Sequence, residues 1–115
     1  SMVIHQSFAD FVLFLYMHMA HADGYYDGTE QNVILKKIPK LFPKHNNPTQ
    51  LLEAARSQYT STDPSQIPVI IRDTFRHYSD VKFAQKYKVY TDMYDIIQAD
   101  GRVDESETAA MNELK

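Results

Sequence analysis

Carboxylates are concentrated in two copies of one pattern, in which Ala-Asp-Gly is followed by an apolar or aromatic residue, Asp and Glu at fixed spacing. The copies begin at Ala22 and Ala99. Calcium and magnesium prefer oxygen ligands, whereas zinc favours nitrogen and sulfur. If the copies meet in the fold, their side chains can bind one divalent cation, with calcium or magnesium favoured. The candidate ligands are Asp23, Asp27, Glu30, Asp100, Asp104 and Glu107.

The same residues also have a purely structural interpretation. A Gly directly after Asp allows a helix to end through positive φ. Asp27 and Asp104, each followed three residues later by Glu, are typical of capping boxes that begin the next helix. Asp23 and Asp100 have no capping role, and each follows a helix whose C-terminal dipole disfavours a negative charge. A bound cation, or a Lys or Arg of a basic partner, would compensate for that charge.

The pattern also matches the second half of a calcium EF-hand loop. With Asp23 at loop position 5, positions 1 and 3 would be Met19 and His21. In the second copy they would be Ile96 and Gln98. The first two oxygen ligands are therefore missing from both copies, and the sequence does not predict an EF-hand.

Two histidines precede the first copy. His18 and His21 are spaced so that two imidazoles on one helix could bind a metal ion together with Asp23. The alternative is that both lie on a polar flank of that helix and face solvent.

Composition excludes several classes of function. The 115-residue chain has a net charge of −3 and no cysteine, so disulfides and thiolate sites are excluded and neither nucleic acid nor a membrane surface is favoured. The apolar run from Phe11 to Tyr16 is too short to span a bilayer, and no signal-peptide pattern is present. We therefore expect a cytoplasmic domain without membrane insertion.

No enzymatic motif is visible. The three glycines all lie in the two acidic copies, so no Gly-rich phosphate loop exists, and no H-E-x-x-H motif occurs. Paired carboxylates alone could serve a hydrolase, but nothing indicates a cleft. The remaining alternative is an interaction module that binds a protein partner or self-associates through its eight tyrosines and its basic segments.

Charge is unevenly distributed along the chain. Nine of the fifteen acids lie in or beside the two copies. The basic residues cluster elsewhere, as Lys36, Lys37, Lys40 and Lys44, and as Arg72, Arg76, Lys82, Lys86 and Lys88. This pattern indicates either an acidic pole on a more basic molecule or simply solvated helix faces.

Apolar periodicity predicts helices throughout and no strands. The expected helices cover residues 5–22, 28–40, 48–59, a stretch that begins at Asp63 or Pro68, residues 81–99, and a final segment capped by Asp104. The first is apolar almost all round, which predicts a central, buried helix. Pro39 and Pro43 are expected to end the second. Ser79 or Asp80 is expected to open the fifth.

The fifth predicted helix carries an aromatic and apolar stripe that should be packed along its length. Its members are Phe83, Tyr87, Tyr90, Tyr94 and Ile97. Together the elements predict an all-α fold, a single-domain bundle of about six helices over residues 1–115. It contains two pseudo-symmetric helix–loop–helix units that bring Asp23 and Asp100 close together.

A helix that ends in A-D-G-x-[apolar]-[D/S]-x-x-E, present twice in a small helical chain, resembles the tellurite-resistance TerB-like family. That family is related to the N-terminal domain of DjlA-type membrane-bound co-chaperones. The matching residues are Ala22, Asp23, Gly24, Asp27 and Glu30, and Ala99, Asp100, Gly101, Val103, Asp104 and Glu107. The resemblance implies adjacent acidic loops that bind metal ions or partners, a stress-associated accessory role, and no catalysis.

Overall fold

Five α-helices make up most of the computed structural model, which describes residues 2–22 and 26–99. They are α1 (Phe8–His21), α2 (Gly28–Leu41), α3 (Pro48–Ser61), α4 (Ile67–His77) and α5 (Phe83–Gln98), with a 3₁₀ turn at Pro64–Gln66 before α4. No strand occurs in these two ranges, so the all-α prediction is confirmed. The sixth helix expected from Asp104 lies outside the described residues.

Helix α1 is the centre of the bundle. Ser7 caps it by accepting a hydrogen bond from the backbone N–H of Asp10. Every residue from Phe11 to Met17 is buried, which confirms the prediction from its all-round apolar sequence. Helices α2, α3 and α5 all pack against it.

Helix α3 and the 3₁₀ turn both begin at N-cap residues that the local sequence indicates. Asn47 accepts a hydrogen bond from the N–H of Gln50 at the start of α3, and Asp63 caps the 3₁₀ turn. The prediction that Pro39 ends α2 is wrong, because the helix continues to Leu41. Proline removes one backbone donor, and in the last turn of a helix that loss leaves most of the helical hydrogen bonds intact.

Helix α5 differs from its prediction in two respects. It begins at Phe83, and neither Ser79 nor Asp80 caps it; Lys82 occupies the cap position without a side-chain hydrogen bond. The aromatic stripe is not buried along its length, because Phe83, Tyr87 and Tyr94 are exposed. The buried face is instead formed by Val89, Asp92, Met93, Ile96 and Ile97.

No helix in residues 2–22 and 26–99 combines the length and the apolar character needed to cross a membrane.

Candidate functional site

The described part of the first acidic copy begins α2. Asp27 has extended backbone angles, and its Oδ1 accepts hydrogen bonds from the N–H of Glu30 at 2.9 Å and from the Thr29 hydroxyl at 2.6 Å. The capping prediction for Asp27 is therefore confirmed. The Glu30 side chain is fully buried in the first turn, where the positive end of the helix dipole favours a carboxylate.

His21 is held in an aromatic stack at the end of α1. Its ring lies parallel to Tyr26 at 4.5 Å between centroids and against Tyr59 of α3 at 4.8 Å. Its Nδ1–H donates to the Met17 carbonyl at 2.7 Å. Because a carbonyl only accepts, Nδ1 carries the proton, so in the neutral ring the lone pair is on Nε2, the tautomer common among metal-binding histidines.

His18, one turn earlier on α1, joins the same cluster. Its Nδ1 lies 3.0 Å from the Tyr59 hydroxyl. Both histidines are half-buried, so this flank of the helix is only partly exposed to solvent. The reason is α3, whose Tyr59 ring covers them.

Tyr26 joins the acidic copy to α3. The guanidinium of Arg56 lies 5.7 Å from the centroid of the Tyr26 ring, a cation–π distance. Burial, aided by the negative charge of Glu53, raises the pKa of Tyr26 to about 12. Tyr26 is therefore a neutral phenol at physiological pH.

Helices α1 and α5 run parallel, and this orientation decides where the two acidic copies begin. Phe8 lines the same groove as Ala84, near the start of each helix. Eight residues further along each helix, the Tyr16 hydroxyl donates to Asp92 at 2.8 Å. Because the helices run in the same direction, their last residues, His21 and Gln98, lie at the same end of the bundle.

Helix α2 runs in the opposite direction to α5. Leu41, its last residue, shares a groove with Ala84, whereas Lys37 contacts Asp92 and Asp95 further along α5. The start of α2 therefore lies at the same end as the last turn of α5. The end of α1, the start of α2 and the end of α5 surround one pole of the molecule.

A buried ion cluster fixes this arrangement. Oδ1 of Asp92 accepts hydrogen bonds from Lys37 of α2 at 2.9 Å and from Lys88 at 2.6 Å, while Oδ2 accepts from Tyr16 of α1. Lys37 also donates to Asp95 at 2.9 Å. One carboxylate, 6% exposed as a residue, thus links α1, α2 and α5.

The hydrogen bonds keep the cluster ionised. Burial alone would raise the pKa of Asp92, but the hydrogen bonds from Lys37, Lys88 and Tyr16 outweigh it and hold that pKa below its usual value. Burial and the negative charge of Asp92 together raise the pKa of the Tyr16 phenol. Burial alone would lower the pKa of Lys37, yet its two carboxylate partners raise it.

Sequence reasoning missed this cluster. Lys37 and Lys88 were assigned to basic segments away from the acids, whereas both pair with Asp92. The spacing of Lys88 and Asp92 by four residues on one helix is the one signal that indicates a pair. Nothing in the sequence indicates the contacts with Tyr16 and Lys37, which depend on tertiary packing.

The predicted cation ligands are only partly within the described ranges. Asp27, Glu30, His18 and His21 lie there, near the pole where α1 ends and α2 begins. Asp23, Asp100, Asp104 and Glu107 lie outside the described residues, as does the pseudo-symmetric second unit. Among residues 2–22 and 26–99, no group of three or more His, Asp or Glu side chains is arranged to hold a metal ion.

The fold is a small, all-helical domain in which the two copies of the acidic sequence motif follow the parallel helices α1 and α5. The family model described as "Tellurite resistance protein TerB" matches residues 9–115. The chain therefore belongs to the TerB family. No curated protein and no solved structure matches the chain.

Proposed function

We propose that this TerB-family chain is a non-enzymatic, cytoplasmic accessory domain in tellurite resistance and related stress responses. Its two acidic segments act together as one site for a divalent cation, with calcium or magnesium favoured, or for a basic group of a partner. The parallel packing of α1 and α5 supports this proposal most strongly. Because α1 and α5 run in the same direction, the chain enters both acidic segments at the same end of the bundle.

The electrostatics of the pole favour a cation. Asp23 and Asp100 each follow the negative end of a helix dipole, where an uncompensated carboxylate is unfavourable. Glu30, a buried acid of the first copy, lies at the same pole. The stacked His21, whose Nδ1–H donates to the Met17 carbonyl, lies at the same pole. Oxygen ligands nevertheless dominate, which is why calcium or magnesium is favoured over zinc.

A thermal-shift panel on chelator-treated protein tests the proposal. An ion at a hundredfold its dissociation constant adds about 2.7 kcal/mol to the free energy of unfolding. We expect calcium or magnesium to raise the melting temperature of the wild type and to leave Asp23→Asn/Asp100→Asn unchanged. Asp10→Asn/Asp80→Asn is the matched control, since it removes two exposed carboxylates elsewhere and should keep the ion response.

One observation favours an alternative, a pure interaction module in which the acidic residues only cap helices. Oδ1 of Asp27 caps the start of α2 through two hydrogen bonds. If no divalent ion raises the melting temperature and the double variant is more stable than the wild type, this alternative is correct. If the ions have no effect but a lysine- or arginine-rich peptide binds the wild type and not the variant, the site serves a basic partner.

A further inference from the structure

A groove follows the seam between the parallel helices α1 and α5, near the start of each. Its volume is about 450 Å³, within the range of about 300–1,000 Å³ that is typical of small-molecule sites. Along α1 its lining extends from Phe8 to Tyr16, a distance of about 12 Å at the helical rise. An extended chain advances about 1.2 Å per bond, so a linear ligand of about ten non-hydrogen atoms spans this length.

Most of the lining is apolar. Phe8, Val12 and Val89 supply hydrocarbon from α1 and α5, and Leu41 supplies it from the end of α2. Small-molecule sites typically combine such an apolar wall with a few polar groups that fix the orientation of the ligand. The polar groups of this groove therefore decide which class of ligand it takes.

The one carboxylate in the lining is already compensated by the protein. Oδ1 of Asp92 accepts hydrogen bonds from Lys37 and Lys88, and its Oδ2 accepts from the Tyr16 hydroxyl. A cationic ligand would have to displace a lysine from this buried acid. The groove is therefore not suited to an amine.

Two lysines flank the groove from opposite sides. Lys37 of α2 reaches Asp92 of α5. Because these helices are antiparallel, one turn beyond Lys37 on α2 corresponds to one turn before Asp92 on α5. Lys40 and Lys88 occupy these positions, and both line the groove. Within the described part of the chain Lys40 forms no ion pair, and the Lys88 side chain is 58% exposed. The mouth of the groove therefore carries excess positive charge.

We propose that this groove binds a free monocarboxylic acid of about eight carbons, with its hydrocarbon chain along the α1–α5 seam and its carboxylate between Lys40 and Lys88. The ammonium group of lysine has three donors, so Lys88 can bind the ligand and keep its bond to Asp92. A small, strongly hydrated anion such as phosphate would leave the apolar wall in contact with water. The groove lies at the start of α1 and α5, away from the pole where both helices end, so the proposal is independent of the cation site.

Three ligands with the same alkyl chain and different charge test the assignment. Octanoate, octanol and octylamine are titrated separately, each below the concentration at which it aggregates, and NMR follows the methyl signals. We expect octanoate to bind with a dissociation constant on the order of 1 mM or tighter, and to shift the signals of Val12, Leu41 and Val89. Octanol should bind more weakly, and octylamine most weakly. No octanoate binding, shifts confined to other residues, or octylamine binding as tight as that of octanoate would overturn the proposal.

A charge-removing variant tests where the carboxylate lies. Lys40→Gln should weaken octanoate binding by about fivefold and leave octanol binding unchanged. Lys36→Gln is the matched control, because Lys36 is an exposed lysine one turn earlier on α2 and outside the lining. It should change octanoate binding by less than about twofold. Equal weakening by both variants would show that only net charge matters, and would contradict the placement between Lys40 and Lys88.

A space-filling variant tests where the hydrocarbon lies. Ala84 lines the groove and is exposed near the start of α5, so the fold should tolerate Ala84→Phe. This variant should lose both octanoate and octanol binding, whereas Ala54→Phe, at an exposed position of α3 outside the groove, should retain both. Unchanged binding in Ala84→Phe would refute the site. Tighter binding of an acetylated dipeptide that ends in leucine than of octanoate would assign the groove to a peptide C-terminus and overturn the free-acid assignment.

Discussion

Asp27 accepts two hydrogen bonds at the start of α2, and its contribution can be measured separately from any ion binding. Asp27→Ala should lower the free energy of unfolding by about 1 kcal/mol in chelator-treated protein, because the N–H of Glu30 loses its cap. Asp27→Ser, which retains a capping oxygen, should recover most of the loss. Urea unfolding measures both. Equal destabilisation by Ala and Ser would show that the carboxylate has a role other than capping.

His5 predicts a pH dependence at a single buried residue. It is 6% exposed, and its ring packs against Phe11 and Phe14. Burial lowers the pKa of His5, and Gln58 and Asp10 only partly oppose that effect.

The direction of this pH dependence follows because the folded protein buries the neutral form of His5. The contribution of His5 to stability is complete above the unfolded pKa of about 6.5 and is lost as pH falls through the lower folded pKa. His5→Phe preserves the ring packing and cannot be protonated. Between pH 7.5 and 5, it should therefore lose less stability than the wild type in urea unfolding. His77→Gln, at an exposed position, is the control. Parallel curves for wild type and His5→Phe would refute this account.

At the scale of single residues, the helix-capping residues were the part of the molecule that the sequence predicted best. Asp27 and Asn47 begin α2 and α3 where local sequence indicated, because a cap depends only on neighbours three residues away, whereas α1 begins at Phe8 and not at the expected residue 5. The environment of His21 could not be predicted. Its stacking on Tyr59 depends on how α3 crosses α1, which no local pattern specifies.

At the scale of elements, the Asp92 cluster connects α5 to α1 and α2. Asp92→Asn keeps the shape but removes the charge that binds Lys37 and Lys88. Hydrogen bonds to a nearly buried charge contribute more than neutral ones, so the free energy of unfolding at pH 7 should fall by about 2 kcal/mol. Asp95→Asn, whose side chain is 64% exposed, should cost less than about 1 kcal/mol. Similar losses for both variants would mean that burial does not strengthen this cluster.

The same cluster predicts a loss of stability in acid. Because the folded pKa of Asp92 lies below its unfolded value, its contribution is complete above about pH 4 and is lost as pH falls through the folded pKa. The difference in unfolding free energy between wild type and Asp92→Asn should be constant from pH 5 to 7. It should shrink as the pH falls below 4. A difference that grows in acid would contradict the ion-pair explanation.

Helix positions were predicted well, but the faces of the helices were not. The stripe on α5 has helical spacing, and spacing alone identifies a helix without showing which side meets the core. Asp92 could not be predicted to lie inside, because its burial depends on contacts with Tyr16 of α1 and Lys37 of α2. Phe83, Tyr87 and Tyr94 of the stripe are consequently exposed.

At the scale of the whole molecule, one pole combines features that are distant in the sequence. The end of α1, the start of α2 and the end of α5 lie together because α1 and α5 are parallel and α2 is antiparallel to them. The repeated motif predicted two equivalent chain reversals. The repeat also led us to expect that the two units lie together, but the parallel direction of α1 and α5 is visible only in the structure, since a repeat fixes local structure and not helix orientation.

The central claim is that the two acidic segments form one shared cation site, and calorimetric titration of chelator-treated protein tests it most directly. For calcium or magnesium, we predict one ion bound per chain. Asp23→Asn and Asp100→Asn should each weaken that one binding event, because both copies contribute to the same site. Two ions per chain, with each variant losing one and leaving the other intact, would show two independent sites. That result, or the absence of any binding heat with both ions, would contradict the account.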